Sequence, residues 1–574
     1  MDKKWVIAPP ISSEELTAYA PLKPMLAQLL ANRGLNPSEA RSFLASDNEI
    51  SWHSPFAFRQ MRQAVDLIVA QIKEQNLIAI VGDYDADGVT SSAVLWETLT
   101  TLKAKVQVWI PNRLSEGYGL NQRLIKDIKA AGCSLMITVD NGIRSYEEVA
   151  YARQQGLTVI VTDHHTQDES RADLPEAIII NPVLEQETYP FKFLAGVGVA
   201  FKLAAALIEA SSLSANIKER LTKRILDLVA IGTIADCVSL LGENRFLVRQ
   251  GLRELNRRER IGIDALVKVA QIASDLNESN VSWQIAPRLN VAGRLGRANA
   301  AYEILVTTDQ AEAVKLAEEL NDKNIHRQAE TQRLVEYATK LVEKELLLDK
   351  ILIISAPGLR GESEEVWHEG IIGLVAGKIC ERYSRPAFVI TASEGKIKGS
   401  GRSVEGYNIV ALLERLKQYL ERFGGHKAAC GFTVKDQANF DKFAQELRRI
   451  GQEEITDDFL VPTLKIDAEL DLETVDKSLV EEIKRFAPFG QGNREPVFVS
   501  RAVPVKDIVM MGADSQHIKF KFHNFWAIAF GEAVKWQALK LGDKIDVVYT
   551  LEFNDFNGFR NVQMRIIDMK ESLV

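Results

Sequence analysis

The sequence predicts an α/β protein: two α/β lobes, the first with a parallel, doubly wound sheet, joined by a long helical spacer and followed by an all-β barrel. Three observations carry this. Short apolar runs alternate with amphipathic helical segments from residue 77 to 181, a second alternation starts at residue 350, and the chain from residue 456 onward ends in closely spaced β-rich runs. In the first stretch LIAIV (77–81), VQVWI (106–110), LMITV (135–139), TVIVT (158–162) and AIIIN (177–181) are continuous apolar runs, as strands buried on both faces require. Segments such as SSAVLWETLTTL and NQRLIKDIKAAG between them carry apolar residues at helical spacing, and strand–helix alternation of this kind builds a parallel sheet. A mostly helical stretch follows from about 195 to 347, and its end, from Gln310 to about Leu347, is a charged helix without Pro or Gly, a rigid spacer. The second α/β unit runs from KILIISAPG (350–358) through RPAFVITA (385–392) and contains two glycine-rich turns, GSGRS (399–403) and FGGHKAACG (423–431). The terminal runs VFVSRAVPV, HIKFKFHN, FWAIAFGE, KIDVVYTLEF and NVQMRIIDM suggest a small barrel. The expected domains are a helical appendage at 1–65, the first α/β domain at 66–240, a helical connector at 241–348, the second α/β domain at 349–455 and the barrel at 456–574.

With 574 residues the chain is too long for one core, and three to four domains are expected. A composition of 46% hydrophobic and 26% charged residues is that of an ordinary folded protein. MDKKWVIAPP at the N-terminus lacks the apolar core of a signal peptide, and no segment approaches the roughly 18 apolar residues of a membrane helix. Cys133, Cys237, Cys380 and Cys430 are scattered without a CxxC, which fits a reduced cytoplasm and excludes a zinc knuckle. A net charge of −8 argues against a nucleic-acid coat protein, yet it is compatible with a local basic channel.

Three strands of the first lobe end in polar clusters: Asp83-Tyr84-Asp85-Ala86-Asp87-Gly88, Asp140-Asn141-Gly142 and Asp163-His164-His165. The carboxyl ends of strands in an open parallel sheet share one crevice, so the clusters converge. That many carboxylates together are costly unless cations neutralise them. Mixed carboxylate and imidazole ligation suits Mn²⁺, with Mg²⁺ as competitor, and five or more ligands point to two divalent cations of the kind that clamp a phosphate ester. An EF-hand loop starting at Asp83 is excluded, because its twelfth position is Val94 rather than Glu and a strand precedes it. Asp-Asn-Gly alone is usually a turn and His-His alone a surface pair, but three such clusters at successive strand ends are hard to explain as solvated loops. GVGVA (196–200) lacks the surroundings of a dinucleotide fingerprint and reads as helix packing.

DYDADG, DNG and DHH, followed by the Asp of GTIADCV (232–238), resemble the four motifs of the DHH phosphoesterase superfamily. The resemblance implies that Asp85, Asp87, Asp140, His164 and Asp236 are metal ligands. Asp83, counted with the metal set, and His165 complete the catalytic site or contact substrate, while Asp163 orients a histidine. APRLNVAGRLG (286–296), HEGIIGLVAGKI (368–379), GSGRS with GYNI (399–409), FGGHKAACGF (423–432) and PFGQGNREPVF (488–498) extend the likeness over nearly the whole chain to the bacterial RecJ exonucleases. Those proteins join a DHH domain, a DHHA1 domain and an OB-fold. The family implies a 5′→3′ exonuclease that degrades single-stranded DNA to mononucleotides in recombination and repair. It also implies partners such as a single-strand-binding protein and a repair helicase, and no membrane. Composition and spacing alone show neither polarity nor a preference for DNA.

The candidate DNA contacts follow the same motifs. Arg113 and Tyr118 lie in PNRLSEGYG after a strand end, Arg288 and Arg294 flank a glycine loop expected in APRLNVAGRLG, and His368 opens HEGIIG. Arginine suits bidentate phosphate contacts, which favours Arg113 and Arg294. The GSGRS and FGGHKAACG turns offer backbone N–H groups for phosphate oxygens, with Ser400, Arg402 and His426 adding side chains. In HIKFKFH, Lys519 and Lys521 share one strand face and Phe520 and Phe522 the other, a pattern that fits a DNA-tracking face and a solvated face over an aromatic core equally. Two alternatives remain: a phosphatase of small substrates, which would need only the two α/β lobes, and an inactive scaffold, which would have no reason to keep the full ligand set.

Overall fold

A computed structural model describes residues 3–45, 52–111, 119–168, 171, 173–294, 299–393, 395–512, 514–556 and 559–572. The chain divides into two compact units, one formed mainly by residues 318–464 and the other by most of the remainder; it passes between them within the helix Gln310–Leu341.

The larger unit holds a five-stranded sheet: β1 Leu77–Gly82, β2 Lys105–Trp109, β3 Cys133–Val139, β4 Thr158–Thr162 and β5 Ile178–Ile180. All neighbours are parallel, in the order β2-β1-β3-β4-β5. Ile78, Ala79, Ile80 and Val81 are buried on both faces because crossover helices cover the sheet on either side. The chain steps outward from β1 to β2 and then back across to β3, so the strand order reverses between β1 and β3. A ligand crevice opens at such a switch point, beyond the carboxyl ends of the strands.

The smaller unit contains a mixed sheet of β6 Leu352–Ser355, β7 Ala387–Ser393, β8 Lys396–Arg402, β9 Leu420–His426 and β10 Ala429–Val434, ordered β9-β10-β8-β7-β6. GSGRS was expected as a glycine-rich turn but forms the end of β8, an interior strand bonded to β7 and β10. Its glycines answer to packing: a Cβ on Gly399 would lie 2.1 Å from the Phe432 ring, and one on Gly401 2.6 Å from Cys430 Sγ. FGGHKAACG likewise forms a hairpin of β9 and β10, in which His426 pairs with Ala429.

The C-terminal strands β11 Phe498–Met511, β12 His517–Phe522, β13 Phe525–Ala529, β14 Lys544–Phe556 and β15 Phe559–Glu571 close into a barrel in the order β11-β12-β13-β15-β14, with β14 pairing back onto β11. Phe520 and Phe522 fill its interior. The N-terminal segment is more than an appendage: Leu26, Leu29, Leu30 and Phe43 share one hydrophobic core with Val480, Phe486 and the barrel. No helix among the described residues is long and apolar enough to cross a membrane.

Candidate metal centre

β1 ends at Gly82, and the helix Ala86–Thr101 starts four residues later with Asp85 as its N-cap. Asp85 Oδ1 accepts the Asp87 and Gly88 N–H groups at 3.0 and 3.1 Å. Asp87, in the first helical turn, accepts the Gly196 N–H on Oδ2 at 2.7 Å and the Val197 N–H on Oδ1 at 2.8 Å. Those amides open the helix Gly196–Ala210, so GVGVA supplies an anion-binding helix end rather than packing alone. Gly88 lets the loop close, since a Cβ there would lie 2.5 Å from the Asp83 carbonyl oxygen.

Asp140 follows β3 in the left-handed region at φ 60° and donates its N–H to Thr162 O at 3.0 Å. Asn141 Nδ2 donates to Val81 O and Val139 O at 3.2 and 2.9 Å, which ties the ends of β1 and β3 together. Asp163 Oδ1 accepts the backbone N–H of His164 at 2.7 Å and of His165 at 3.1 Å, and lies 2.8 Å from His165 Nδ1. Its Oδ2 accepts the Ile143 N–H at 2.9 Å. Asp163 thus binds the DHH segment to the loop after β3 and leaves His165 Nε2 to face the site.

Asp236 arrives from elsewhere, as the C-cap of the helix Leu226–Ala235. A carboxylate at a helix C-terminus sits at the wrong end of the dipole. The segment after it is braced from the barrel side: Leu240 N–H donates to Gln491 O at 2.8 Å, and a Cβ on Gly492 would lie 2.4 Å from Ser239 Oγ.

His164 Nε2 faces Asp140 Oδ1 at 3.1 Å, Asp236 Oδ2 at 3.6 Å and Asp87 Oδ2 at 3.9 Å. Among the described residues three sets of potential ligand atoms lie within 4.8 Å of one another: Asp140 with His164 and His165, Asp87 with His164 and Asp236, and Asp83 with Asp85 and Asp140. Asp140 and His164 each belong to two sets, which links all seven residues into one centre. Burial pushes Asp87 up to about 7, aided by the charge on Asp85. Asp236 is pushed up to about 9 by burial and by Asp87 and Asp85, and Asp140 well above the carboxylate range by burial and four neighbouring aspartates. Asp83, Asp87 and Asp140 are each about 3% exposed or less, so water cannot offset this repulsion. Hard oxygen donors with two imidazoles, crowded and self-repelling without positive charge, fit a pair of divalent cations.

Comparison with known proteins agrees with this geometry. Family models match as the DHH family N-terminal domain over residues 77–233, the DHHA1 domain over 349–453 and the RecJ OB domain over 466–568. The chain is 35% identical over 576 residues to the single-stranded-DNA-specific exonuclease RecJ of Bacillus subtilis, covering 98% of this chain and 70% of that protein. It is 33% identical over 584 residues to RecJ of Escherichia coli, covering 96% of each. The chain belongs to the RecJ family. Crystal structures of RecJ from Thermus thermophilus in complex with Mn²⁺ and with Mg²⁺ superpose with TM-scores of 0.83 and 0.77 at 27% and 26% identity, covering all of this chain and 80% and 79% of those.

The other RecJ-type candidates are distributed as follows. Arg113 and Tyr118 lie outside the described residues. Arg288 and Arg294 stand on one helix, Ala286–Arg294, rather than in a loop; Arg288 Nη1 donates to Gln284 O at 2.7 Å. In the smaller unit His368 caps the helix Glu369–Tyr383, its Nδ1 accepting the Gly370 N–H at 3.0 Å, and Arg294 Nη1 donates to Gly370 O at 2.8 Å. Ser400 and Arg402 share one face of β8, where Arg402 Nη1 lies 3.2 Å from Ser400 Oγ. Because β8 is an interior strand, its amides belong to the sheet and the side chains carry any phosphate contact. Arg402, Ala429 and His426 occupy one rung across β8, β10 and β9, and Ser400, Gly431 and Gly424 occupy the next rung but one, on the same face. A Cβ on Gly424 or Gly431 would meet nothing within 4 Å, so the strand surface beside Ser400 is bare and open, while the small side chain of Ala429 separates Arg402 from His426. On the barrel, Lys519 and Lys521 lie 4.5 and 5.8 Å from the Trp526 ring, beside a groove of about 580 Å³ lined also by Phe525, Phe559 and Asn561. Sequence reasoning missed Trp526, although the β-rich run FWAIAFGE follows HIKFKFHN at hairpin spacing and brings its Trp directly opposite Lys521.

Proposed function

We infer that this chain is a single-stranded-DNA-specific exonuclease that hydrolyses phosphodiester bonds from the 5′ end and releases mononucleotides. The observation that carries the reading is the complete set of seven Asp and His residues at the sheet's switch point, in a chain that also bears a lysine–tryptophan groove on its barrel. Asp85, Asp87, Asp140, His164 and Asp236 would hold two divalent cations, with Asp83 closing the set. When bound, the cations supply Lewis acidity to the phosphoryl group. The protein supplies position. Two helix N-termini fix Asp85 and Asp87, and Asp163 fixes the His165 ring with Nε2 toward the substrate side.

Arg402, Ser400 and His426, around a floor of Ala429, Gly431 and Gly424, suit the phosphates of a terminal nucleotide. Lys519, Lys521 and Trp526 suit the sequence-tolerant tracking of a strand, one base stacked on the indole and the backbone near the ammonium groups. This division favours a polymer over a small phosphorylated substrate. Such an enzyme works on cytoplasmic DNA, and its natural partners are proteins that expose or coat one strand, a helicase or a single-strand-binding protein.

The test is digestion of 5′-labelled and 3′-labelled single strands with Mn²⁺ or Mg²⁺, alongside a duplex and a dinucleotide. Early release of a labelled mononucleotide from the 5′-labelled strand only is expected, with little duplex cleavage. Asp140→Ala should lose about three orders of magnitude or more in rate while still binding the strand. Equal turnover of strand and dinucleotide, or near-normal rate in Asp140→Ala, would overturn the assignment.

A further inference from the structure

A helix that begins on a metal loop must satisfy its first backbone N–H groups without distorting the ligands. In the helix Ala86–Thr101, Asp85 Oδ1 takes the N–H groups of Asp87 and Gly88, and the backbone carbonyl of Asp85 takes that of Val89. The remaining donor, Ala86 N–H, belongs to a residue only 1% exposed, so water is no substitute. It is met from 204 positions downstream, where Asn290 Oδ1 accepts it at 2.7 Å.

Asn290 stands on the helix Ala286–Arg294, and Gly293 is one turn further along the same face. Gly293 sits so close to the loop that a Cβ would lie 2.7 Å from Tyr84 O and 2.8 Å from Tyr84 Cδ2. The helix therefore touches residues 84 and 86 from one face, on either side of the cap residue Asp85. An Asp85 carboxylate that spends one oxygen on two amides has its orientation set by the helix start. That start is held in turn by Asn290.

We propose that Asn290 is a positioning residue of the RecJ reaction: its side-chain oxygen fixes the Asp83–Asp87 loop so that Asp85 and Asp87 keep their ligand geometry. Gly293 is its partner, providing the close approach that a side chain would prevent. The inference rests on Asp85 and Asp87 being metal ligands, and its test is chosen to fail separately from that reading.

Wild type, Asn290→Ala, the near-isosteric Asn290→Leu and Asn290→Asp are compared as full-length proteins. Mn²⁺ affinity is read by calorimetry and by metal-dependent thermal shift, and kcat and KM on a single strand at saturating Mn²⁺. Loss of a group that orients a ligand costs about 10- to 100-fold in metal affinity or activity. Asn290→Ala and Asn290→Leu should lose roughly that much in Mn²⁺ affinity and in kcat, with KM unchanged. Asn290→Asp retains the acceptor and should recover most of both. Wild-type Mn²⁺ affinity and kcat in either acceptor-less variant would overturn the proposal. So would a rise in KM alone that Asp fails to rescue, since it would assign Asn290's amide to the DNA. Should Asp87→Ala bind Mn²⁺ like wild type, the ligand assignment itself falls, whatever Asn290 does.

Discussion

Gly196→Ala is the sharpest test of how closely the centre is built. Gly196 heads a helix, donates its N–H to Asp87, and presents its Cα to Asp140. A Cβ there would lie 2.5 Å from Asp140 Oδ1, 2.6 Å from its Cβ and 2.7 Å from its Cγ, where ordinary contact begins at 3.4 Å. The oxygen must give by the difference, 3.4 − 2.5 = 0.9 Å. Asp140 cannot swing aside freely, because it is 3% exposed, sits at φ 60° and is tethered through its N–H to Thr162. The helix end and the carboxylate therefore separate by about an ångström, which costs on the order of a hundredfold in rate, or about 2.7 kcal/mol of barrier. Overpacking costs about 1–3 kcal/mol of stability, partly offset by alanine's better helix propensity, so the protein stays folded. Steady-state digestion of a single-stranded oligonucleotide with Mn²⁺ titration is the assay. We expect kcat about 100-fold down with weakened Mn²⁺ binding. Gly198→Ala, whose Cβ would meet nothing nearer than the Leu194 side chain at 3.2 Å, should stay within about fivefold of wild type. A folded Gly196→Ala enzyme with normal kcat and Mn²⁺ affinity refutes the reasoning, and an equal loss in Gly198→Ala moves the effect to general helix packing.

Three further outcomes follow from the geometry. Asp87 and Asp236, raised to about 7 and about 9 by burial and neighbouring carboxylates, hold protons in the folded state that the unfolded chain has lost, so this cluster's contribution to metal-free stability falls as pH rises through both values. Mn²⁺ displaces those protons, so its stabilising shift in Tm should be larger at pH 9 than at pH 6.5; a flat or inverted trend would show that the carboxylates are not its ligands. His426→Ala should keep normal Mn²⁺ binding yet cut roughly a hundredfold more slowly, because an exposed residue on the rung with Arg402 positions substrate without touching the carboxylates; loss of metal or retention of full rate would each contradict this. Trp526→Ala should weaken binding of a long single strand by about 1–3 kcal/mol while leaving dinucleotide turnover alone, and equal binding of the long strand would remove the barrel groove from the DNA path.

What periodicity and strand-end chemistry encode was legible. Continuous apolar runs gave away the parallel sheet, and clusters at the ends of β1, β3 and β4 marked the crevice because the topology leaves them no other place to meet. Glycine was harder. In sequence a strand glycine and a turn glycine look alike, so GSGRS passes for a phosphate-binding turn, although Gly399 exists because the Phe432 ring occupies the space of its side chain. Long-range backbone donors leave no local pattern either. The amides of Gly196 and Val197 reach Asp87 across 109 and 110 positions, and Asn290 reaches Ala86 across 204.

These hidden contacts explain how one centre can be both rigid and intensely charged. Asp85 and Asp87 are held at helix N-termini, where fixed N–H groups and the dipole favour an anion. Asp236 closes a helix at its C-terminus, where both oppose one, and Asp140 is buried among four other aspartates. The first pair can be ordered by protein alone, while the second pair gains nothing from its surroundings until positive charge arrives. Cation binding is therefore drawn toward Asp140 and Asp236 and guided by a frame that Asp85 and Asp87 have already set. Removing Asp236 should therefore stabilise the metal-free fold, increasingly as pH rises toward about 9, even as it abolishes the reaction.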